Sequence, residues 1–113
     1  MKDIALESAL ARIDNDHEIY LELIAVFLED SQTDIEKLSQ AINENDTKKA
    51  IYHTHKLKGA ALTLGADKFS SHAESLEQEL NKTEARECRI LFEKAETAYY
   101  GAITRLKEIE KEL

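Results

Sequence analysis

The residues best suited to chemistry lie close together between Tyr52 and Ala66. This stretch contains two of the four histidines and two of the three glycines of the chain. A neutral imidazole is a competent nucleophile at physiological pH, and a phosphoryl group bound to its nitrogen remains transferable. The stretch therefore offers a candidate nucleophile, and its role depends on which helix face each histidine occupies.

The two histidines of this stretch fall on opposite faces of a helix. A helix turns by about 100° per residue, so His53 and His55 project about 160° apart and cannot share one metal ion. His53 joins an apolar stripe, which predicts a hydrogen-bonded packing residue at the core or its margin. The stripe consists of Ala50, His53, Leu57, Ala61 and Leu64. Because no second ligand lies near His53 in sequence, we predict no metal site.

The face that carries His55 mixes cations with apolar side chains. An ordinary solvated helix face would be mostly charged, whereas this mixture suits docking of another protein surface. The candidate partner-binding residues are Lys48, Ile51, Tyr52 and Leu62.

Two neighbours of His55 suit a phosphorylated imidazole. Lys58, one turn further on, could offset the charge of an anion attached to the ring. Gly59 costs a helix about 0.5–1 kcal/mol relative to alanine, but the missing side chain opens room for a bulky group. From the residues alone, His55 is either a functional nucleophile or an ordinary surface histidine.

These residues need helices that position them. Apolar residues at steps of three and four predict four helices. The first has about 27 residues and begins at about His17, and the second carries His53 and His55 and stops near Gly65. The third runs from about Asp67 to Leu80, and the fourth is a last long helix. Caps are expected at the Asp14–Asp16 and Asn43–Asp46 clusters and at Thr83. Four amphipathic helices with short connections predict an all-α, antiparallel up-down four-helix bundle, with a short additional N-terminal helix packed at one end.

The length of the chain fits one domain, residues 1–113, and its composition and net charge limit the classes of partner it could bind. A formal net charge of -8 makes nucleic acid an improbable partner, because duplex binding needs a basic face. Charged residues interrupt every apolar run, so we expect neither a membrane span nor a signal peptide. The single cysteine, Cys88, is expected to be a small packing residue in a reducing cytoplasm.

The central stretch resembles the signature of histidine phosphotransfer (HPt) domains of multistep two-component signalling. The matching motifs are His55-Lys56-Leu57-Lys58-Gly59 and Leu64-Gly65-Ala66. The resemblance covers nearly the whole chain, including an acidic turn before a long helix at about 16–44. It implies that His55 is phosphorylated at Nε2, that Lys58 helps to hold the phosphoryl group, and that Gly59 gives access to it.

The chain departs from the family pattern at two positions. Members of the family often carry a glutamine that hydrogen-bonds the other imidazole nitrogen, and Glu77 stands at that position here. A glutamate could also orient the imidazole, but its charge favours the imidazolium and opposes a nearby phosphate. Some members place an arginine one turn later, where this chain has Asn81.

The resemblance implies a phosphoryl carrier without kinase activity of its own. His55 would accept a phosphoryl group from an aspartate of one receiver domain, as in a hybrid sensor kinase, and pass it to the aspartate of a response regulator. Mg²⁺ and most catalytic groups would belong to the receiver. We find no Gly-rich nucleotide loop and no acidic metal-binding triad, and we expect no cofactor on this chain, which would act as a monomer.

Other functions compete with this one. The phosphoacceptor domain of a chemotaxis-type kinase shares the bundle and much of the motif, although it would normally be attached to a kinase core. A dimeric kinase's own histidine helix fits less well, because the usual His-Glu start is absent. A plain helical adaptor would bind a partner through exposed Ile51 and Leu62, with His55 incidental. A metal-binding enzyme is the weakest alternative.

Overall fold

The computed structural model describes residues Met1–Leu113 and contains helices without strands. Their bounds are α1 Leu6–Ala11, α2 His17–Asn43, α3 Thr47–Leu64, α4 Asp67–Leu80 and α5 Arg89–Glu112, with a short 3₁₀ turn at Ala85–Cys88. The molecule is 41 Å long, which matches the length of about 40 Å expected for a 27-residue helix. The predicted all-α class is confirmed.

Helices α2 to α5 form an antiparallel bundle in which each helix packs on two neighbours. α3 lies between α2 and α4, and α5 closes the ring against α4 and α2. Tyr20 near the start of α2 contacts Leu64 at the end of α3, whereas Asp34 contacts His53 in the first half of α3. This reversed pairing shows that α2 and α3 run in opposite directions, as their short connection requires.

The ends of α3 follow from local chemistry at Asp46 and Gly65. The Asp46 carboxylate accepts a hydrogen bond from the Lys49 N–H at 3.2 Å, as an N-cap does. Gly65 ends the helix with a φ of 77°, an angle at which a side chain would be strained. A Cβ atom at Gly65 would also lie 2.8 Å from the Ala5 carbonyl oxygen. Both expected ends are therefore confirmed, and Asp16 caps α2 in the same way.

The start of α5 differs from the prediction of an N-cap at Thr83. The 3₁₀ turn at Ala85–Cys88 intervenes, and α5 begins at Arg89. The Ala85 N–H instead donates to the Thr47 hydroxyl at 3.0 Å. A hydroxyl from the first turn of α3 thus satisfies a backbone donor that a local cap was expected to satisfy.

The short helix α1 packs at the end of the bundle where α3 turns into α4. The Ala5 N–H donates to the Gly65 carbonyl at 2.8 Å, and the Arg12 guanidinium donates to the Leu62 carbonyl at 2.8 Å. Both carbonyls lie at the end of α3, where the helical hydrogen-bond pattern stops. Each also accepts a local backbone N–H, Leu62 from Gly65 at 3.2 Å and Gly65 from Asp67 at 2.8 Å. The predicted position of the N-terminal helix is confirmed.

Large aromatic residues fill the core, and their hydroxyl groups are paired. The Tyr20 hydroxyl donates to the Leu64 carbonyl at 2.6 Å, and the hydroxyls of Ser31 and Tyr99 are 2.7 Å apart. Cys88 is fully buried, and burial raises the pKa of its thiol, which confirms it as a packing residue. No helix is both long enough and apolar enough to cross a membrane.

Candidate functional site

α3 presents His55 to solvent near the middle of the helix. Its Ala50, Leu57 and Ala61 are buried against the bundle, which sets the rotation of the helix. The His55 side chain is 73% exposed as a result. An imidazole in this position can reach a reactive group on another protein without any movement of the bundle.

A single carboxylate from α4 joins His55 to Lys58. Glu77 Oε2 lies 2.8 Å from His55 Nδ1, and Glu77 Oε1 accepts a hydrogen bond from Lys58 Nζ at 2.6 Å. Because a carboxylate only accepts, the short contact requires the proton of the neutral imidazole to lie on Nδ1. His55 Nε2 then keeps its lone pair and is the nucleophilic atom. We call these three residues the Glu77 bridge.

The two hydrogen bonds in the Glu77 bridge keep the carboxylate ionised. Burial would raise the pKa of Glu77, which is 15% exposed, but the hydrogen bonds from Lys58 and His55 outweigh it and leave the pKa below its ordinary value. The hydrogen bond to Glu77 in turn raises the pKa of Lys58. The predicted cation, Lys58, is therefore present at the site of His55, but it already forms a salt bridge with Glu77.

The space beside His55 is open at Gly59. A Cβ atom placed on Gly59 would have no heavy atom within 4 Å outside its own stretch of helix. No packing therefore requires a glycine at this position, although it lies in the interior of a helix that would be more stable with alanine.

The structure places the four predicted partner-binding residues differently. Lys48, Tyr52 and Leu62 are exposed, Tyr52 by 61% and Leu62 by 52%. Ile51 is half-buried and packs against the hydrophobic core, so the prediction that it is exposed was wrong. Helical periodicity assigns Ile51 to the solvent face, but it lies at the margin of that face, where its side chain reaches the core.

Sequence analysis missed an apolar groove between α2 and α3. The groove has a volume of about 230 Å³, and Leu23 and Val26 of α2 face Ala60 and Thr63 of α3 across it. Val26 is 57% exposed. The available signal in the sequence was Val26, an apolar residue next to Leu23 on the α2 surface, since exposed apolar residues that lie together often mark a binding surface.

His53 lies on the opposite side of α3 and is buried. Its Nδ1 is 3.0 Å from Asp34 Oδ1 of α2, and Asp34 Oδ2 is 3.2 Å from Lys56 Nζ. We call these three residues the Asp34 bridge. The expected role of His53 as a hydrogen-bonded packing residue is confirmed, but its partner was not identified from the sequence.

Asn81 occupies the position at which the sequence resemblance allows an arginine. Its side-chain amide donates to the Glu77 backbone carbonyl at 2.8 Å. This bond satisfies a carbonyl in the last turn of α4. Asn81 therefore stabilises the C-terminal end of α4, one turn after Glu77, and brings no positive charge to the Glu77 bridge.

Comparisons with known proteins agree with this architecture. The family model of the Hpt domain matches residues 22–111. Among solved structures, the HPT domain from the Hpt sensor hybrid histidine kinase from Shewanella superposes with a TM-score of 0.89 at 18% identity, over 98% of this chain and 96% of that one. A search of curated proteins gave no significant match.

The family match spans most of the chain and contains every element of the site. It includes α3 with His55 and Lys58, and α4 with Glu77. The structural match shows the same fold over nearly the full length of both chains. HPt domains are phosphocarrier modules, not kinases, and work with receiver domains in two-component relays. This chain belongs to the Hpt domain family.

Proposed function

We propose that the protein is a phosphorelay intermediate that carries a phosphoryl group on His55. The observation that carries the proposal is an exposed imidazole whose Nδ1 is hydrogen-bonded to Glu77, so that Nε2 is free for attack. A hybrid sensor kinase's receiver domain would supply the group, and a response regulator's receiver would accept it. The carrier would act as a cytoplasmic monomer and bind neither nucleic acid nor membrane.

The transfer step follows from the free lone pair on His55. Nε2 attacks the phosphorus of the aspartyl phosphate, an N–P bond forms, and the P–O bond to the aspartate breaks to release its carboxylate. The Nδ1 proton stays on the ring and remains hydrogen-bonded to the Glu77 carboxylate. The second transfer reverses these bond changes at the aspartate of the next receiver. Mg²⁺ and the remaining catalytic groups are expected on the receiver.

Lys58 has two possible partners during this cycle. In the free protein its ammonium hydrogen-bonds Glu77 at 2.6 Å. A phosphoryl group on Nε2 would bring about two negative charges to the same region. We infer that Lys58 then shares its three donors between Glu77 and the phosphoryl oxygens, which limits the repulsion between them.

The receiver would dock on the face of α3 that surrounds His55. Exposed Lys48, Tyr52 and Leu62 and half-buried Ile51 lie on this face. Gly59 leaves open space through which the receiver's phosphoaspartate could approach the imidazole. The groove that contains Val26 extends the surface toward α2.

The proposal is tested with isolated receivers carrying ³²P on their aspartate. The protein should gain an acid-labile, base-stable label, as expected for a phosphorus–nitrogen bond, and should pass it to a second, unphosphorylated receiver. If the wild-type protein gains no label from any receiver of the source organism, the relay function is wrong and the helical adaptor becomes the better hypothesis.

A further inference from the structure

Two carboxylates, one from each neighbouring helix, bind α3 in the same pattern. In the Glu77 bridge and in the Asp34 bridge, a carboxylate joins the Nδ1 atom of a histidine to the ammonium of a lysine three residues later. The Glu77 bridge contains the proposed phosphoacceptor. The Asp34 bridge has no part in the chemistry described above, although it lies on the same helix turns.

The Asp34–His53 pair of the Asp34 bridge is buried, which makes it an unusual choice for holding two helices together. The side chains of Asp34 and His53 are only 8% and 9% exposed. A buried carboxylate is costly unless it is paired, and apolar residues of similar volume often give equal or better stability. The presence of Asp34 is therefore better explained by the direction of the bonds it forms than by its contribution to stability alone.

The geometry of the Asp34 bridge opposes rotation of α3 about its axis. Its two partners, His53 and Lys56, lie on either side of His55 in sequence and point toward α2. A helix with its side chains has a radius of about 5–6 Å, so a rotation of about 10° would move the His55 ring by about 1 Å. A displacement of that size at a reacting group can cost about a hundredfold in rate.

We propose that Asp34 is a positioning residue for phosphotransfer, which holds α3 within the rotation set by its buried residues so that His55 Nε2 faces a docked receiver. Asp34 and Lys56 also line the groove that contains Val26. The bridge therefore sets how the α2 part of the docking surface lies relative to the nucleophile. This inference rests on the proposed relay function.

The test compares two phosphoryl donors on the variants Asp34→Leu and Lys56→Met. The first donor is a phosphorylated receiver, which has to dock. The second is phosphoramidate, a small donor whose P–N bond breaks to release ammonia as the N–P bond to His55 Nε2 forms. Positioning predicts that transfer from the receiver falls at least about tenfold in Asp34→Leu, with a smaller fall in Lys56→Met, while labelling by phosphoramidate changes less than about threefold.

A second buried polar link supplies the matched control. The hydroxyls of Ser31 in α2 and Tyr99 in α5 are 2.7 Å apart, and this hydrogen bond has no partner on α3. Tyr99→Phe should lower the melting temperature but leave transfer from the receiver unchanged at a temperature where the protein is folded. If Tyr99→Phe slows receiver transfer as much as Asp34→Leu does, the positioning role is overturned.

Two further results would overturn the positioning role of Asp34. Asp34→Leu with wild-type receiver transfer would overturn it, as would a variant that loses both kinds of labelling to the same extent. Lys56→Met keeps the test valid if Asp34→Leu does not fold, because the Lys56 side chain is 54% exposed. A failure of the relay function itself would look different, because the wild-type protein would then gain no label from the receiver.

Discussion

Glu77 Oε2 lies 2.8 Å from His55 Nδ1, and this contact places a negative charge beside the ring whose Nε2 atom is proposed to become phosphorylated. The carboxylate is 15% exposed, and Lys58 is the cation that balances it. A glutamine in this place could accept the same hydrogen bond without bringing a charge. The substitution of glutamate for the usual residue therefore affects the energy of the phosphorylated state more than the orientation of the ring.

Glu77→Gln should shift the phosphotransfer equilibrium toward phosphorylated His55. Two unit charges roughly 6 Å apart in a water-like medium interact by about 0.7 kcal/mol, which corresponds to about threefold, and a phosphoryl group carries more than one charge. Removing the carboxylate also frees Lys58 for the phosphoryl oxygens. The ratio of labelled carrier to labelled receiver at equilibrium, at pH 8, should rise by about threefold or more. An unchanged or lower ratio would contradict this account of Glu77.

The same carboxylate makes stability depend on pH in a defined direction. Lys58 and His55 hold the pKa of folded Glu77 below its ordinary value of 4.5. A group whose pKa is depressed by folding contributes stability above the pKa of the unfolded chain, and that stability is lost as the pH falls through the folded-state pKa. Between pH 6 and values below about 4.5, the melting temperature of Glu77→Gln should fall less than that of the wild type. Parallel curves for the two proteins would show that Glu77 is not coupled to its neighbours.

Gly59→Gln should keep the fold while slowing transfer from a receiver. No heavy atom lies within 4 Å of a Cβ at this position, and replacing a mid-helix glycine stabilises a helix by about 0.5–1 kcal/mol. The longer side chain would occupy the approach to His55. Gly59→Ala is the control: it should give the stability gain with a smaller loss of transfer rate. Transfer at the wild-type rate in Gly59→Gln would remove the argument that this glycine provides access.

Leu62→Asp should weaken receiver docking with little loss of stability. The side chain is 52% exposed on the face of His55, so the charge remains hydrated in the free protein and is desolvated only in the complex. Binding to an unphosphorylated receiver, measured by titration calorimetry, should weaken by about tenfold or more.

An exposed apolar residue elsewhere provides the matched control for Leu62. Ile90 is 68% exposed at the start of α5, and Ile90→Asp should leave receiver binding unchanged. A large drop in the melting temperature of Leu62→Asp would show that Leu62 contributes to the core, and equal effects of the two substitutions would show that the docking surface has been misplaced.

Much of the fold follows from local rules that act within a few residues. Apolar steps of three and four mark α2 to α5, and Asp46 and Gly65 set the ends of α3 through their own backbone chemistry. Thr83 satisfied the same local rule but is not a cap, because the backbone donor of Ala85 pairs with Thr47 from α3. That bond joins residues 38 apart in sequence and could not be read from a local pattern.

The candidate site shows the same division between local and distant contacts. The opposite faces of His53 and His55 follow from helix geometry, and the structure places them as expected. The engagement of Lys58 by Glu77 and the contact between His53 and Asp34 depend on how α4 and α2 pack on α3. Asp34 shares its helical spacing with buried Ser31 and Leu38, a signal that a carboxylate there is buried and needs partners.

The most direct measurement of the central claim is the site of the phosphoryl label. After incubation with a ³²P-labelled receiver, the wild-type protein and His72→Gln, which loses a histidine of α4, should both carry an acid-labile label that mass spectrometry under basic conditions locates on His55. His55→Gln should fold normally and carry no label. A label of equal size on His55→Gln would contradict the assignment of His55 as the phosphoacceptor.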